Sequence, residues 1–243
     1  MKISSAGKTD KGYVRTNNED SLLVDDAMGI YAIADGMGGH RAGEIASKVT
    51  LEALRDTLVR EYKGGPATTV LQRGLQTAGI RLFAKIEEDS ELRGMGTTLT
   101  ALLIPPDEES RATVVQVGDS RCYRWRGGAF NMLTDDHSWV WEQRKAGLLT
   151  ERDAASHPMR NVITRSVGHG GESNPDIFAV DVSAGDTFVL CSDGLCGYVT
   201  DAEIADIVRQ FAPDPKLLAE RLVALALDHG GEDNVTVIAL RVS

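Results

Sequence analysis

The stretch Ile30-Tyr31-Ala32-Ile33-Ala34-Asp35-Gly36-Met37-Gly38-Gly39-His40 runs from a short apolar block into a glycine-rich acidic turn. A block of this length, ended by Asp-Gly, predicts a buried strand over Ile30–Ala34. The residues beyond the turn decide the architecture. Ile45, Val49, Leu51, Leu54 and Leu58 recur near a 3.6-residue period and predict a helix over Ala42–Glu61. Val70, Leu71, Leu75, Ala78, Leu82, Phe83 and Ile86 predict a second helix over Ala67–Asp89. Helix succeeds helix here, with no strand between them, so this is not a β-α-β unit.

The same grouping recurs toward the other end. Helices are predicted over Asp201–Gln210 and Asp214–Asp228, with Asp201 and Asp214 as N-caps. Strands rich in Val, Ile, Leu and Thr are predicted at Lys2–Lys8, Ser21–Asp25, Thr97–Ile104, Arg111–Gln116, Arg121–Arg126, Ala129–Leu133, Thr187–Cys191 and Val235–Val242. Strands in runs and helices in pairs imply an α+β fold. Antiparallel sheets covered by helix pairs fit that pattern, and a doubly wound parallel sheet does not. The polar segment from His137 to Gly171 is expected to hold short helices and a mobile loop at one edge. No repeat or linker divides the 243 residues, so one domain over 1–243 is expected.

The formal net charge of -10 argues against nucleic acid and anionic membrane surfaces as partners. Three cysteines, Cys122, Cys191 and Cys196, lack paired C-x-x-C spacing, which speaks against a disulfide framework or a zinc site. Residues Met1 to Gly12 contain no apolar core of a signal peptide, and the most apolar run, Leu99–Ile104, is too short to span a bilayer. A soluble cytoplasmic protein is the expectation.

Four acidic turns flank predicted core strands: Asp35-Gly36 after Ile30–Ala34, Gly118-Asp119-Ser120-Arg121 after Val114–Val117, Ser192-Asp193-Gly194 after Phe188–Cys191, and Gly231-Glu232-Asp233-Asn234 before Val235–Leu240. Alone, the Asp35-Gly36 turn reads equally as an ordinary solvated turn, and the other three read more readily as common turns than as ligands. Together they can converge, and converging carboxylates need cations to stay ionised. All-oxygen ligation favours magnesium, manganese or calcium, and Gly36 would let a backbone carbonyl approach such an ion. Arg15-Thr16-Asn17-Asn18-Glu19-Asp20 places a guanidinium, able to grip two phosphate oxygens, beside two carboxylates. Taken alone, that segment reads as a surface salt-bridge loop.

The ordered series R-x-x-x-E-D, D-G-M-G-G-H, G-D-S-R, S-D-G and G-x-D-N resembles the metal-dependent serine/threonine protein phosphatases of the PP2C type, and its bacterial branch in particular. Asn161-Val162-Ile163-Thr164-Arg165-Ser166-Val167-Gly168 is similar to that branch too. The resemblance implies a four-layer α/β/β/α sandwich, with two central antiparallel sheets flanked by helix pairs. It implies a pair of Mn2+ or Mg2+ ions bridged by Asp35, with the Gly36 carbonyl at the second ion and Asp193 and Asp233 at the first. Glu19 and Asp20 match the acidic pair that binds metals or their waters. Asp119 matches a ligand of a weaker third ion, and Asn234 would orient Asp233. Arg15 matches the phosphate-gripping arginine, and a hydroxide bridging the metals would attack phosphorus. The implied partners are phosphoproteins, a bacterial Ser/Thr kinase and its targets, acted on by a monomer. The segment 137–171 matches the variable flap beside the active site. One departure stands out. Met37 occupies the position where many eukaryotic relatives carry a histidine proposed as the general acid. His40 is a candidate for that role, or equally a polar contact at the helix start. With every ligand position filled, an active phosphatase is expected over a binding-only pseudophosphatase or a hydrolase of small phosphoesters.

Overall fold

The computed structural model describes all residues except 39–40, 107, 109 and 169–172. His40 therefore lies outside the described residues. In chain order the elements are β1 (Ile3–Asp10), β2 (Asp20–Asp25), β3 (Ile30–Met37), α1 (Arg41–Glu61), α2 (Thr68–Glu88), β4 (Gly96–Thr97), β5 (Leu99–Leu103), β6 (Arg111–Val117), β7 (Arg121–Arg126), β8 (Ala129–Met132), α3 (Trp139–Lys145), α4 (Glu151–Ala155), β9 (Asp176–Asp181), β10 (Thr187–Cys191), α5 (Asp193–Cys196), α6 (Asp201–Phe211), α7 (Pro215–Asp228) and β11 (Val235–Val242).

Two antiparallel sheets result. One has the order β1-β11-β10-β7-β8; the other has β2-β3-β5-β6-β9, with β4 pairing β3. The central strands β3, β5, β10 and β11 read as largely apolar runs because both their faces are buried. Along β3, Ile30, Ala32 and Ala34 join the core beneath α1 and α2, while Tyr31 and Ile33 face the opposite sheet. Along β11, Val235, Val237 and Ala239 pack under α6 and α7, while Ile238, Leu240 and Val242 enter the layer between the sheets. Three apolar layers thus separate four structural ones, as the helix pairing in the sequence implies. No described helix is long and apolar enough to cross a membrane. The three cysteines are free thiols.

The departures from the sequence-based expectation are local. The strand predicted over Thr97–Ile104 is split at Thr98, because that residue is held by Asp35 instead: its N–H donates to the Asp35 carbonyl at 2.9 Å and its Oγ1 accepts the Asp35 N–H at 3.0 Å. The strand starting at Ile30 runs past Ala34 to Met37, since Gly36 and Met37 pair with Thr97 and Gly96. Strand β9 and the short helix α5 have no counterpart in the sequence pattern. Asp201 is not the cap of α6. Thr200 is, in a reciprocal capping box with Glu203. Asp214 caps α7 as expected, accepting from the Leu217 N–H.

Candidate active site

The carboxylates sit where strands of both sheets end. Asp35 lies near the end of β3, Asp119 in the β6–β7 turn, Asp193 at the first position of α5 just after β10, and Asp233 two residues before β11. Arg15 and Glu19 come from the loop between β1 and β2. A cavity of about 400 Å³ is lined by Arg15, Glu19, Asp35, Gly36, Asp119, Asp193, Asp233 and Asn234. Sequence neighbours Glu19 and Asp20 part company here. Glu19 lines the cavity, whereas Asp20 is buried and pairs with Asp35 across the β2–β3 ladder.

Each acidic turn is fixed by hydrogen bonds beneath it. The Asp35 carbonyl also accepts from Thr97 Oγ1 at 2.8 Å. Gln116 Nε2 donates to the Gly118 carbonyl at 2.9 Å and the Ser120 carbonyl at 2.7 Å, clamping the turn that carries Asp119. His137 Nδ1 accepts the Gly118 N–H at 3.3 Å, leaving Nε2 to face Asp176 Oδ2 at 3.1 Å. Ser192 Oγ accepts the Thr236 N–H at 2.9 Å and donates to Asp20 Oδ2 at 2.8 Å. Gly36 is required by close approach: a Cβ there would lie 2.1 Å from the Gly43 carbonyl oxygen and 2.6 Å from that of Glu19.

Asn234 does less to Asp233, and more elsewhere, than the resemblance implies. Its backbone N–H donates to Asp233 Oδ1 at 2.8 Å. Its side chain instead binds the β1–β2 segment: Oδ1 accepts the Glu19 N–H at 2.7 Å, and Nδ2 donates to the Lys11 and Asn17 carbonyls, each at 2.9 Å. Arg15 Nη2 donates to Asp233 Oδ2 at 2.7 Å, so the predicted phosphate grip and a predicted metal ligand are direct neighbours.

The electrostatics are those of crowded acids. Burial, then the charges of Asp20, Asp193 and Asp119, push Asp35 well above the usual carboxylate range. Burial and the charge of Asp193 do the same to Asp119. Burial and Asp233 raise Asp193 to about 6. Asp20 is raised to about 7 by burial, with the hydroxyls of Thr236 and Ser192 opposing, and its Oδ1 is buried without a partner. Arg15 moves up, held charged chiefly by its bond to Asp233. Among the described residues no three of these acids close into a ready-made metal cage.

Nearly all the sequence-predicted site residues therefore meet: Arg15, Glu19, Asp35, Gly36, Asp119, Asp193, Asp233 and Asn234 at the cavity, and Asp20 behind it. Thr98, Gln116, Ser192 and His137 are positioning residues that the sequence does not single out. Of these, only Ser192 carries a signal, its place directly before Asp193. Asn161 and Ile163, from the segment predicted as a flap, lie on the cavity wall, and Met37 lines it as well.

Residues 12–223 match the model of the family described as Protein phosphatase 2C. The chain is 39% identical to the serine/threonine protein phosphatase PstP of Mycobacterium tuberculosis over 98% of its own length, but spans only 44% of that relative. It is 35% identical to the serine/threonine phosphatase stp of Listeria innocua, covering 95% of this chain and 92% of the relative. The solved catalytic domain of PstP in complex with two manganese ions superposes with a TM-score of 0.89 at 36% identity, covering 99% of each chain. With the ordered motifs gathered in one cavity and the match spanning most of its length, the chain belongs to the protein phosphatase 2C family.

Proposed function

We propose that this chain hydrolyses phosphoserine and phosphothreonine in proteins with the help of divalent manganese or magnesium. The observation that carries this reading is the set of acids at one cavity, contributed by strand ends of both sheets, with the Arg15 guanidinium beside them. Buried carboxylates that repel one another strongly enough to hold their protons fit divalent cations, whose charge offsets theirs. The unpartnered Asp20 Oδ1 behind the cavity fits the same surplus of negative charge. The donors are all oxygen, which suits hard ions such as Mn2+ and Mg2+.

Asp35 is crowded by the charges of Asp20, Asp193 and Asp119 and directly precedes the Gly36 carbonyl, so it would be the residue to hold both ions. Asp193 and Asp233 would hold one ion, and Glu19 and the Gly36 carbonyl the other. Asp119, coupled by charge to Asp193, suits a weaker third. Ions held there supply positive charge that polarises the phosphoryl group and acidifies water. Arg15 binds the phosphate oxygens and offsets the charge that builds on them as water adds to phosphorus. The ester P–O bond breaks, the serine or threonine oxygen leaves with a proton, and inorganic phosphate remains. Met37 offers no proton, so no side chain within the described residues is assigned as the acid. The chain acts as a monomer of one domain, opposing a Ser/Thr kinase.

The test is phosphate release from phosphothreonine peptides compared with small phosphorylated metabolites, at saturating Mn2+. Higher kcat/KM on the peptides is expected. Preference for a metabolite, or no turnover of either, would overturn the reading.

A further inference from the structure

Tyr13 and Val14 immediately precede Arg15 and are 71% and 67% exposed. Scattered exposed apolar residues are ordinary and call for no explanation. Tyr13 differs in being held in place. The Tyr13 N–H donates to the Gly231 carbonyl at 2.7 Å. The Tyr13 ring lies on Gly231 so closely that a Cβ there would be 2.8 Å from Tyr13 Cδ2. Gly12 packs equally tightly, since a Cβ on it would be 2.4 Å from the Asp233 carbonyl oxygen. One edge of the aromatic ring thus rests on the loop that carries Asp233, and the rest stays open to solvent. Fixing an aromatic ring in advance removes ordering entropy that a ligand would otherwise have to overcome.

We infer that Tyr13 and Val14 form an apolar shelf that receives a large apolar side chain next to the phosphorylated residue of a protein substrate. The inference rests on the proposed phosphatase reading, because Arg15 fixes where the phosphate sits. Continuity with that site selects the occupant. Residues one or two positions from the phosphorylated residue lie within about 4–7 Å of it along an extended chain. Tyr13 and Val14 adjoin Arg15 in sequence at the rim of the cavity, and the Tyr13 ring abuts Gly231 on the loop that carries Asp233, the carboxylate that Arg15 binds. A leucine or phenylalanine there buries apolar area on both partners, whereas glycine buries almost none.

The experiment compares phosphothreonine peptides that differ only in having Gly, Leu or Phe on either side of the phosphothreonine. Wild type should cleave a Leu- or Phe-flanked peptide with kcat/KM about tenfold above the Gly-flanked one, mainly through KM, the gain from roughly half-burying such a side chain. Tyr13→Ala combined with Val14→Ala should erase that preference and leave the Gly-flanked rate unchanged. Tyr13→Phe alone should keep it, since the ring face and not the hydroxyl is the contact. Both substituted side chains are exposed, so folding is not at issue, and the unchanged Gly-flanked rate checks it. Equal rates for all peptides in wild type, or a preference that survives the double substitution, would overturn the shelf while leaving the phosphatase standing. No cleavage of any phosphopeptide would remove the phosphatase reading and the shelf with it.

Discussion

Ser192 Oγ donates to Asp20 Oδ2 at 2.8 Å across 172 residues of sequence, stitching the strand end that carries Asp193 to the start of β2. It is a hydroxyl that reaches a carboxylate whose other oxygen is buried without a partner. Ser192→Ala would leave Asp20 with no side-chain donor from that direction and strip the Thr236 N–H of its acceptor. A buried polar group left unpaired costs about 1–3 kcal/mol. The predicted result is an unfolding free energy lowered by that amount, read as a lower urea midpoint at constant m-value, in metal-free protein at neutral pH. An unchanged midpoint would contradict it.

Asp20 also makes a pH prediction. Its folded pKa is raised to about 7, first by burial and then by Asp193 and Asp233, against about 3.9 in the unfolded chain. The unfolded chain therefore releases a proton that the folded chain keeps. Asp20 lowers stability progressively as pH climbs from about 4 to about 7, then by a constant amount above that. His137, held below its ordinary pKa by burial, pulls the other way. The Asp20 contribution is isolated as the stability of wild type minus that of Asp20→Asn, both without metal. That difference should fall between about pH 5 and 7, and a flat or rising difference would refute the assignment.

Asn234 should matter through Glu19 rather than through Asp233. Its side chain holds three points of the β1–β2 segment: Lys11, Asn17 and the Glu19 amide. Groups that orient ligands from behind typically cost about 10–100-fold in metal affinity or activity when removed. Asn234→Ala should weaken Mn2+ binding in calorimetry by that factor while the circular dichroism spectrum is retained. Mn2+ affinity equal to wild type would count against it.

Arg15 should act on substrate binding. It is half exposed and makes a charge-assisted bond to Asp233. Arg15→Lys keeps the charge but loses the fork that matches two phosphate oxygens. A rise in KM for phosphopeptide of about tenfold is expected in Arg15→Lys and more in Arg15→Ala, corresponding to about 1.5–3 kcal/mol for a charged hydrogen bond. Equal KM in Arg15→Lys and wild type would show that point charge alone suffices.

Much of the fold is legible in the sequence because both faces of the central strands are buried. Ile30–Ala34 and Val235–Val242 read as unbroken apolar runs, and the helix pairs carry a clear 3.6 period. The acidic turns are legible because Asp-Gly and Gly-x-Asp punctuate those runs. The hidden features depend on tertiary partners. The break at Thr98 exists only because Asp35 lies across the strand from it. Strand β9, with its half-buried pattern, takes its place by pairing with β6. The clamps made by Gln116 and His137 join residues that no local pattern marks, and the split between Glu19 and Asp20 arises because the first ends the β1–β2 loop and the second begins β2.

The central claim, that Asp35 and its neighbours form a metal-dependent phosphatase centre, is tested most directly by Mn2+-dependent phosphate release from a phosphothreonine peptide, comparing wild type with Asp35→Asn. The near-isosteric change removes the carboxylate charge that both ions would share. The account predicts turnover in wild type that is abolished by chelator, and loss of at least about a hundredfold in Asp35→Asn. Turnover that persists in chelator, or at the wild-type rate in Asp35→Asn, would contradict it.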